Sequence, residues 1–385
     1  MHEILLLSFM RILHTSDWHL GRIFHGHHLT DDQACLLEQI EGIIKDFNPD
    51  VILNCGDIFD RAMPPKEAVD LLDEHCSRII TDYKKPYIII AGNHDSPERL
   101  SFGSKILQKS SLFIKGKGEK EISPVVLPDK DGDVCFYALP YLDIEACKFL
   151  YNDAKIKNHE DVIKKQVQII EKKHPPSKRS VLLAHAFVNG SQQCESERPL
   201  FLGGSEMVPS SLFKNFNYTA LGHLHRNQKA GFSFARYSGS LMKYSISEAE
   251  HIKSVNLIEL KKDGSAIIKE EKLKPQKDLR IVRGKLEDIL KKTDKSSDYL
   301  VFELLDEGIL YEPMKRLREK FINAIAVQRP NQTINRTETN LPDFRKSTEL
   351  EIYTALKKHK NDGKSPNKKE LEYFQKILNE VRLTI

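Results

Sequence analysis

Short apolar runs recur along the first 225 residues, and each run ends in polar or acidic side chains. Continuous apolar runs of this length are typical of strands that are buried on both faces. The sequence therefore predicts a sheet that is enclosed from both sides. The five runs are Arg11–Asp17, Val51–Asp57, Tyr87–Asp95, Val181–His185 and Tyr218–His225.

Helical periodicity fills the intervals between these runs. Residues 32–47, 66–80 and 160–173 each place apolar side chains three and four positions apart, as on one face of a helix. Strands that alternate with helices predict an α/β domain. Open sheets of this kind bind ligands at the carboxyl ends of their strands, and the polar residues of this sequence fall there.

The pattern changes from about Leu273 onward. Two strand-like runs alternate with two helical runs, and together they predict a small α+β domain. The strands are predicted at residues 279–284 and 299–304, and the helices at 287–292 and 313–325.

The last part of the chain begins with a polar stretch at residues 328–340, which is typical of a linker. Two short helical patterns follow, with apolar faces around Tyr353 and Phe374. The sequence thus predicts three parts, which are residues 10–272, residues 273–328 and residues 341–385.

The composition is that of a globular protein without a membrane segment. Hydrophobic residues make up 40% and charged residues 30% of the 385-residue chain, and no apolar stretch approaches the roughly 20 residues of a membrane span. Six cysteines occur without a C-x-x-C pair, which favours free thiols in a reducing cytoplasm. Residues 1–9 lack the basic beginning and the cleavage site of a signal peptide. Because the first strand pattern begins at Met10, we interpret Met10 as the natural start.

Positive charge is concentrated near the carboxyl terminus. Residues 311–385 hold 16 Lys and Arg against 10 Asp and Glu, whereas the preceding 310 residues hold 43 against 45. A basic carboxyl-terminal part is compatible with nucleic-acid binding and equally with an ordinary solvated surface.

The polar residues at the strand ends have the types and the spacing of metal ligands. A carboxylate and an imidazole two residues apart, as in Asp17-Trp-His19, point the same way from an extended segment. Two divalent ions about 3.5–4 Å apart can clamp a phosphodiester and activate water, and mixed imidazole and carboxylate ligands suit Mn²⁺, Fe or Zn²⁺. The candidate ligands are Asp17, His19, Asp57, Asn93, His185, His223 and His225.

Each motif taken alone also has an ordinary structural explanation. A single histidine such as His185 is more often a satisfied core residue than a ligand, and the segment Gly222–His225 is compatible with a surface turn. The ordered series D-x-H, GD, GNHD, H and GHxH is what indicates a dinuclear phosphoesterase site.

This order of motifs resembles the signature of the calcineurin-like metallophosphoesterase superfamily over residues 10–260. Within that superfamily, several segments are similar to a bacterial nuclease family that works with an SMC-family ATPase in double-strand-break repair. The resemblance implies a two-sheet α/β sandwich with a small α+β capping domain and carboxyl-terminal helices. The segments are Thr15–Gly21, Gly56–Asp60, Gly92–Ser96 and Tyr237–Ser245, followed in the capping domain by Leu279–Gly284 and Leu310–Leu317.

The resemblance also implies roles for the site residues. It assigns Asp57 to both metals as a bridge, and it assigns His94 to the scissile phosphate instead of to a metal. Asp95 is expected to orient His94 through the other ring nitrogen. One ion is then held by Asp17, His19, Asp57 and His225, and the other by Asp57, Asn93, His185 and His223.

The resemblance further implies the cofactors and the partners. It implies two divalent ions, with Mn²⁺ as the expected metal, and DNA as the substrate. It also implies an ATPase partner bound by the carboxyl-terminal helices, and a homodimer within a heterotetramer. The activities that follow are exonuclease on duplex ends and endonuclease on single strands or hairpins.

Several residues near the motifs remain open to two interpretations. Some relatives carry histidine three residues after the bridging aspartate, where this chain has Asp60. We interpret Asp60 as a loop carboxylate paired with Arg61 or Arg99. The histidines His25, His27 and His28 either face solvent or approach the substrate phosphates, and the first interpretation is favoured.

Two other functions remain compatible with the sequence. One is a small-molecule phosphatase or cyclic-nucleotide phosphodiesterase, against which the additional basic carboxyl-terminal region argues. The other is a non-catalytic tethering subunit with structural metals, against which the intact ligand set and His94 argue.

Overall fold

The structure is a computed structural model that describes residues 9–200, 206–292, 296–330, 348–360 and 365–382. The interpretation of the first residues of the chain lies outside the described residues, apart from residue 9. Most of the predicted linker, residues 331–340, and parts of the predicted segment 341–385 lie outside them as well.

Strands and helices alternate along most of the described chain. The strands are β1 (Met10–Thr15), β2 (Ile23–Phe24), β3 (His27–His28), β4 (Val51–Asn54), β5 (Tyr87–Ile90), β6 (Leu112–Lys115), β7 (Val125–Asp129), β8 (Gly132–Leu139), β9 (Arg179–His185), β10 (Phe187–Val188), β11 (Met207–Val208), β12 (Tyr218–Gly222), β13 (Gln228–Ala230), β14 (Phe232–Tyr237), β15 (Ser254–Leu260), β16 (Ala266–Lys272), β17 (Leu279–Gly284), β18 (Tyr299–Leu304) and β19 (Ala324–Gln328). The helices are α1 (Thr30–Phe47), α2 (Lys66–Ser77), α3 (Pro97–Leu100), α4 (Ser104–Leu107), α5 (Ile144–Tyr151), α6 (His159–Lys173), α7 (Leu286–Lys291), α8 (Pro313–Lys320), α9 (Glu349–Lys360) and α10 (Lys368–Arg382).

Two six-stranded sheets form the centre of the first part of the chain. The first sheet has the order β16-β15-β1-β4-β5-β6 and the second has the order β13-β14-β12-β9-β8-β7. In each sheet four neighbouring strands run parallel, and antiparallel strands complete the edges. The carboxyl ends of the parallel strands of a sheet therefore meet at one edge.

The sheets pack face to face, and helices cover their outer faces. Ile12 of β1 lies in the core between the sheets, whereas its neighbour Leu13 packs with the helix residues Leu36 and Ile40. The strands are thus buried on both faces, as the continuous apolar runs predict. The α/β fold class and the two-sheet sandwich predicted from the sequence are confirmed.

The predicted helices of this region are confirmed within a few residues. Helix α1 ends at Phe47, and the following Asn48 donates its N–H to the Ile44 carbonyl and has a left-handed backbone (φ 50°) that ends the helix. Helix α2 ends at Ser77, earlier than the predicted 66–80, because a π-helical turn follows at Arg78–Asp82.

The capping domain contains three parallel strands, β17, β18 and β19, joined by α7 and α8. The predicted helix 313–325 is too long, since α8 ends at Lys320 and Phe321 is already extended. The sequence missed β19 for that reason. Parallel strands need helical crossovers, so the domain has an alternating α/β arrangement, which refines the predicted α+β description.

The capping domain packs on the sandwich through polar and apolar contacts. Tyr299 of β18 donates a hydrogen bond to Asp32 of α1 over 2.7 Å. Lys243 pairs with Asp278, just before β17, over 2.9 Å. The sandwich and the capping domain together form one compact unit, which extends to Leu304 and includes Leu310–Gln328.

The second compact unit comprises Leu305–Ile309 and the chain from Arg329 onward. Its helices α9 and α10 contact each other through the rings of Tyr353 and Phe374, which stack at 4.1 Å, while Tyr373 remains 68% exposed. No helix among the described residues is long and apolar enough to cross a membrane. The three predicted domain boundaries stay predictions.

Candidate metal centre

The seven predicted ligands lie together at the carboxyl ends of five strands. The first sheet supplies four of them in the loops after β1, β4 and β5, and the second sheet supplies the others at β9 and after β12. Six of the seven side chains are buried, and Asn93 is half-buried. They are Asp17, His19, Asp57, Asn93, His185, His223 and His225.

The first predicted metal position is outlined by ligand atoms from both sheets. Atoms of Asp17, His19 and His225 lie within 4.8 Å of one another. The two Nε2 atoms of His19 and His225 are 3.0 Å apart, and Asp57 Oδ2 lies 3.7 Å from His19 Nε2. These donors converge on one buried point, as a shared cation requires.

The second predicted position adjoins the first through Asp57. The Nε2 atom of His185 lies 3.5 Å from Asp57 Oδ2 and 2.9 Å from Asn93 Oδ1. Within the described residues, the buried Nε2 of His223 has no hydrogen-bond partner. A buried nitrogen without a partner is costly unless something binds it, so this atom fits a metal ligand.

Four of the predicted ligand residues have left-handed backbones. The φ angles are 53° at Asp17, 47° at His19, 49° at Asp57 and 105° at His223. Hydrogen bonds between the loops hold this geometry, since Asp17 N donates to Gly56 O and His19 N donates to Asp57 O, both over 2.9 Å. Strained backbone of this kind clusters at functional sites.

Glycines allow the loops to approach each other closely. A Cβ atom on Gly92 would lie 2.1 Å from Asp57 Oδ1, and one on Gly222 would lie 2.0 Å from the carbonyl oxygen of Cys55. Any side chain at either position would displace a loop that carries a ligand. The glycines in the GNHD and GHxH motifs are therefore required by the packing of the site.

Burial controls the charges of the site residues. It lowers the pKa of His19 and of His223 well below the usual value, so both imidazoles stay neutral. Burial also raises the pKa of Asp17 to about 6, with His185 opposing this effect. For Asp57, the charges of His185 and His94 outweigh burial and hold the pKa well below its usual range.

The hydrogen bonds of His185 leave one ring nitrogen for a metal. Its Nδ1 donates to the carbonyl oxygen of Cys55 over 2.9 Å, since a carbonyl can only accept. The Nε2 atom therefore faces Asp57 and Asn93 with a lone pair when the ring is neutral. Two carboxylates, an amide and four imidazoles form a donor set that suits divalent metal ions.

His94 lies beside the ligands, and a backbone group orients its ring. Its Nδ1 donates to the Asp60 carbonyl over 2.8 Å, and its Nε2 lies 4.0 Å from Asp57 Oδ2. Ligand atoms of His19, Asp57 and His94 also fall within 4.8 Å of one another. The exclusion of His94 from the ligand set stays a prediction.

The expected role of Asp95 in orienting His94 is wrong. Both carboxylate oxygens of Asp95 accept backbone N–H groups, from Ile58 at 3.1 Å, Phe59 at 2.9 Å and Gly92 at 2.9 Å. Burial, then the charge of Asp57, raises the pKa of Asp95 to about 7. Asp95 thus ties together the two loops that carry Asp57 and Asn93.

The expected partners of Asp60 are also wrong. Asp60 pairs with Arg22 over 2.8 Å, because the β1 loop brings this arginine across, and Arg22 also covers the Tyr244 ring at 5.0 Å. Asp60 Oδ1 is further 3.7 Å from His19 Nδ1. The pair of Asp60 and Arg22 therefore lies beside the predicted ligand His19.

The histidines that follow the first motif form the short hairpin of β2 and β3. His25 and His28 are exposed, as the favoured interpretation expects. His27 is half-buried and packs edge-on against Tyr299 of the capping domain at 5.3 Å. His14 of β1 also has a fully buried ring.

Sequence reasoning missed the residues that hold His225. Ser196 and Glu248 contact its ring, and Glu197 and Lys253 contact its backbone. These residues lie in polar segments without periodicity or a ligand motif, so the sequence carries no signal of their burial.

Comparisons with known proteins indicate the family to which this chain is similar. The model of the calcineurin-like phosphoesterase family matches residues 10–227. A second model, described as the type 5 capsule protein repressor C-terminal domain, matches residues 275–357.

Two curated relatives are named as the D subunit of the SbcCD nuclease. The protein of Staphylococcus saprophyticus is 34% identical over 85% of this chain and 86% of its own length. The protein of Staphylococcus epidermidis is 32% identical over 83% of this chain and 85% of its own length.

A solved dimetal phosphatase from Danio rerio aligns more loosely. It covers 69% of this chain and 96% of its own, with 12% identity and a TM-score of 0.43. The family model covers the region that holds all seven predicted ligands. The chain belongs to the calcineurin-like phosphoesterase family, in the branch of the SbcCD nuclease D subunits.

Proposed function

We propose that this chain is the Mn²⁺-dependent nuclease subunit of an SbcCD-like complex. Its activities are exonuclease on duplex ends and endonuclease on single strands and hairpins, in cytoplasmic DNA repair and recombination. The observation that carries the proposal is the convergence of seven buried or half-buried ligands at one edge of the sandwich. The names of the curated relatives support the choice of a nuclease.

The seven residues divide between two ions in this proposal. Asp17, His19 and His225 hold the first ion, and Asn93, His185 and His223 hold the second, while Asp57 contacts both. Two bound ions would polarise the phosphodiester, supply the attacking oxygen and stabilise the leaving oxygen. Oxygen and imidazole donors without thiolates suit Mn²⁺.

His94 acts on the scissile phosphate. Because its Nδ1 donates to the Asp60 carbonyl, its Nε2 is the atom that can hold a proton at the phosphate. Histidine titrates near neutral pH and therefore suits proton transfer to the leaving oxygen. The backbone contact with Asp60 keeps the ring in the required orientation.

Substrate recognition rests on charge and shape. Residues 273–328 form the capping domain, which we propose as a DNA-binding element beside the metal centre. Phosphate contacts position a nucleic acid without reading its sequence. We therefore expect cleavage that depends on duplex ends and hairpins and that is largely independent of base sequence.

The carboxyl-terminal helices bind the ATPase partner in this proposal. Tyr373 and Ile377 of α10 are 68% and 42% exposed, and such apolar side chains suit a groove or a second helix. The partner would be an SbcC-like SMC-family ATPase, in a heterotetramer built on a homodimer of this chain. A chain that ends before residue 341 should keep hydrolysis and lose that association.

The test compares substrates and one variant. Purified protein with Mn²⁺ is assayed on a hairpin DNA and on p-nitrophenyl phosphate esters, beside His94→Gln. DNA cleavage that His94→Gln removes supports the nuclease. Activity on the small esters alone would favour a small-molecule phosphodiesterase, and no activity even with the ATPase would favour a tethering subunit. His174→Gln, a change before β9 and therefore at the opposite end of that strand from His185, is the matched control.

A further inference from the structure

Among the described residues, side chains and not backbone groups hold the ring of His225. Its Nδ1 lies 2.7 Å from Ser196 Oγ, and Ser196 Oγ donates to Glu248 Oε1 over 2.5 Å. A hydroxyl that donates to a carboxylate has its lone pairs left for the imidazole. The Nδ1 of His225 is therefore the protonated nitrogen, and its Nε2 faces His19 with a lone pair.

The carboxylate at the end of this chain of contacts is fixed and fully buried. Glu248 also accepts hydrogen bonds from Tyr244 N over 3.1 Å and from Ser245 Oγ over 3.0 Å. Its second oxygen pairs with the ammonium group of Lys253, which is 5% exposed. Every oxygen of Glu248 is thus occupied, and the carboxylate cannot swing away from Ser196.

The same ion pair reaches the backbone of His225. Lys253 Nζ donates to the His225 carbonyl and to Ser240 Oγ, both over 2.8 Å. Glu197 accepts the His225 N–H over 2.7 Å. Buried ion pairs often add little net stability, so positioning is the better account of why this one is built around a single histidine.

His185 offers the contrast within the same site. Its Nδ1 donates to the Cys55 carbonyl, a backbone group that no substitution removes. The orientation of His225 instead depends on a hydroxyl that a single substitution deletes. The orientation of His185 thus depends on a backbone carbonyl, whereas the orientation of His225 depends on side chains that can be substituted.

We propose that Ser196 and Glu248, with Lys253, are positioning residues that fix the tautomer and orientation of His225 and so set the affinity of one metal position. The inference rests on the proposed function, since it assumes that His225 binds a metal. Partners of this kind raise the basicity of the ligand, and their loss typically costs about 10–100-fold in metal affinity.

The experiment measures metal binding by the full chain directly. The wild type, Ser196→Ala and Ser196→Thr are titrated with Mn²⁺ while electron paramagnetic resonance reports the free ion. We expect two bound ions in the wild type, with one weakened about 10–100-fold in Ser196→Ala. Ser196→Thr keeps the hydroxyl and should restore the affinity.

A matched control separates positioning from general stability. Asp129 pairs with Arg179 in a comparably buried ion pair of the second sheet, with side chains 8% and 7% exposed. Asp129→Asn should lower the melting temperature without changing Mn²⁺ affinity. The absorption spectrum of the Co²⁺-loaded protein should change in Ser196→Ala and in Glu248→Gln, and stay unchanged in Asp129→Asn.

The outcomes distinguish this inference from the proposed function. If the wild type does not bind two Mn²⁺ ions, the proposed function itself is contradicted. Wild-type protein with two ions, beside a folded Ser196→Ala with unchanged affinity and an unchanged Co²⁺ spectrum, would overturn the positioning role alone. Glu248→Gln tests the same role independently, should Ser196→Ala fail to fold.

Discussion

The two sheets contribute different chemistry to one site. The first sheet supplies all the predicted carboxylate and amide ligands, Asp17, Asp57 and Asn93, together with His19, whereas the second supplies imidazoles alone. Residues of the two sheets also bond each other directly. His223 N donates to Asp17 over 2.9 Å, and His185 donates to the Cys55 carbonyl of the first sheet.

This difference teaches that neither sheet carries a metal site by itself. The negative charge comes from one side and most of the neutral donors from the other, so the site exists only where the sheets are packed. The accuracy of that packing then sets the metal affinity. Substitution of a carboxylate in the first sheet should therefore affect metal binding differently from substitution of an imidazole in the second sheet.

The largest effect is expected for Asp57→Asn compared with His185→Gln. Asp57→Asn removes the charge that both proposed ions share, so hydrolysis should fall by well over the roughly 100-fold of an indirect partner, with both ions lost. His185→Gln should remove one ion only. Counting bound Mn²⁺ per chain checks this, and equal losses in the two variants would break the comparison.

His94→Gln should lower hydrolysis by about 10²–10⁴-fold, the usual contribution of a general acid. Mn²⁺ affinity should stay near that of the wild type, because His94 is not assigned to a metal. Steady-state rates and a Mn²⁺ titration measure the two quantities separately. Loss of an ion in this variant would place His94 among the ligands.

Because the proposed ions bind residues of both sheets, metal binding should stabilise the folded protein. At a Mn²⁺ concentration about 100 times the dissociation constant, the free energy of unfolding should rise by about 2.7 kcal/mol per site. Urea unfolding of chelator-treated protein, with and without Mn²⁺, measures this gain. Asp57→Asn is the control, and an equal gain in that variant would show that the ions bind elsewhere.

The smallest effect concerns His14, which joins β1 of the first sheet to β12 of the second. Its ring contacts Tyr218 and Leu221 of β12, and burial lowers its pKa to about 3. Between that value and the usual 6.5, the unfolded chain binds a proton that the native state does not. Stability therefore falls as the pH drops, by up to about 1.4 kcal/mol per pH unit.

His14→Asn should reduce the pH dependence of the free energy of unfolding by up to about 1.4 kcal/mol per pH unit. Urea unfolding at about pH 7.5, 6 and 5 in the presence of a chelator measures the difference between the two proteins. The values at the highest pH provide the reference, since the proton is absent from both states there. If the free energy of unfolding depends on pH equally in the two proteins, burial of a neutral His14 does not contribute to that dependence.

The sequence indicated the candidate ligands because each one follows a continuous apolar strand. Continuous apolar runs located β1, β4 and β5, and the motifs located Asp17, Asp57 and Asn93 at their ends. Helix α1 was found because apolar residues recur three and four positions apart over residues 32–47. These are local signals, which a single sequence carries in full.

Long-range contacts explain what the sequence missed. Arg22 reaches Asp60 and Ser196 reaches His225 only because the loops fold together, and no spacing along the chain encodes those pairs. The predicted partner of the His94 ring was wrong for the same reason, since the backbone carbonyl of Asp60 contacts the ring in place of the Asp95 carboxylate. Strand β19 was missed because its apolar residues continue the helical pattern of α8.

The left-handed backbones of Asp17, His19, Asp57 and His223 have an evolutionary consequence. Asn, Asp and His tolerate this conformation better than other residues with a side chain, so selection acts on these positions twice, through the metal and through the backbone. Descendants of this fold that abandon catalysis should therefore drift first to asparagine at the two aspartates. Such proteins would keep the sandwich and lose the ions, which leaves a recognisable trace of the former enzyme.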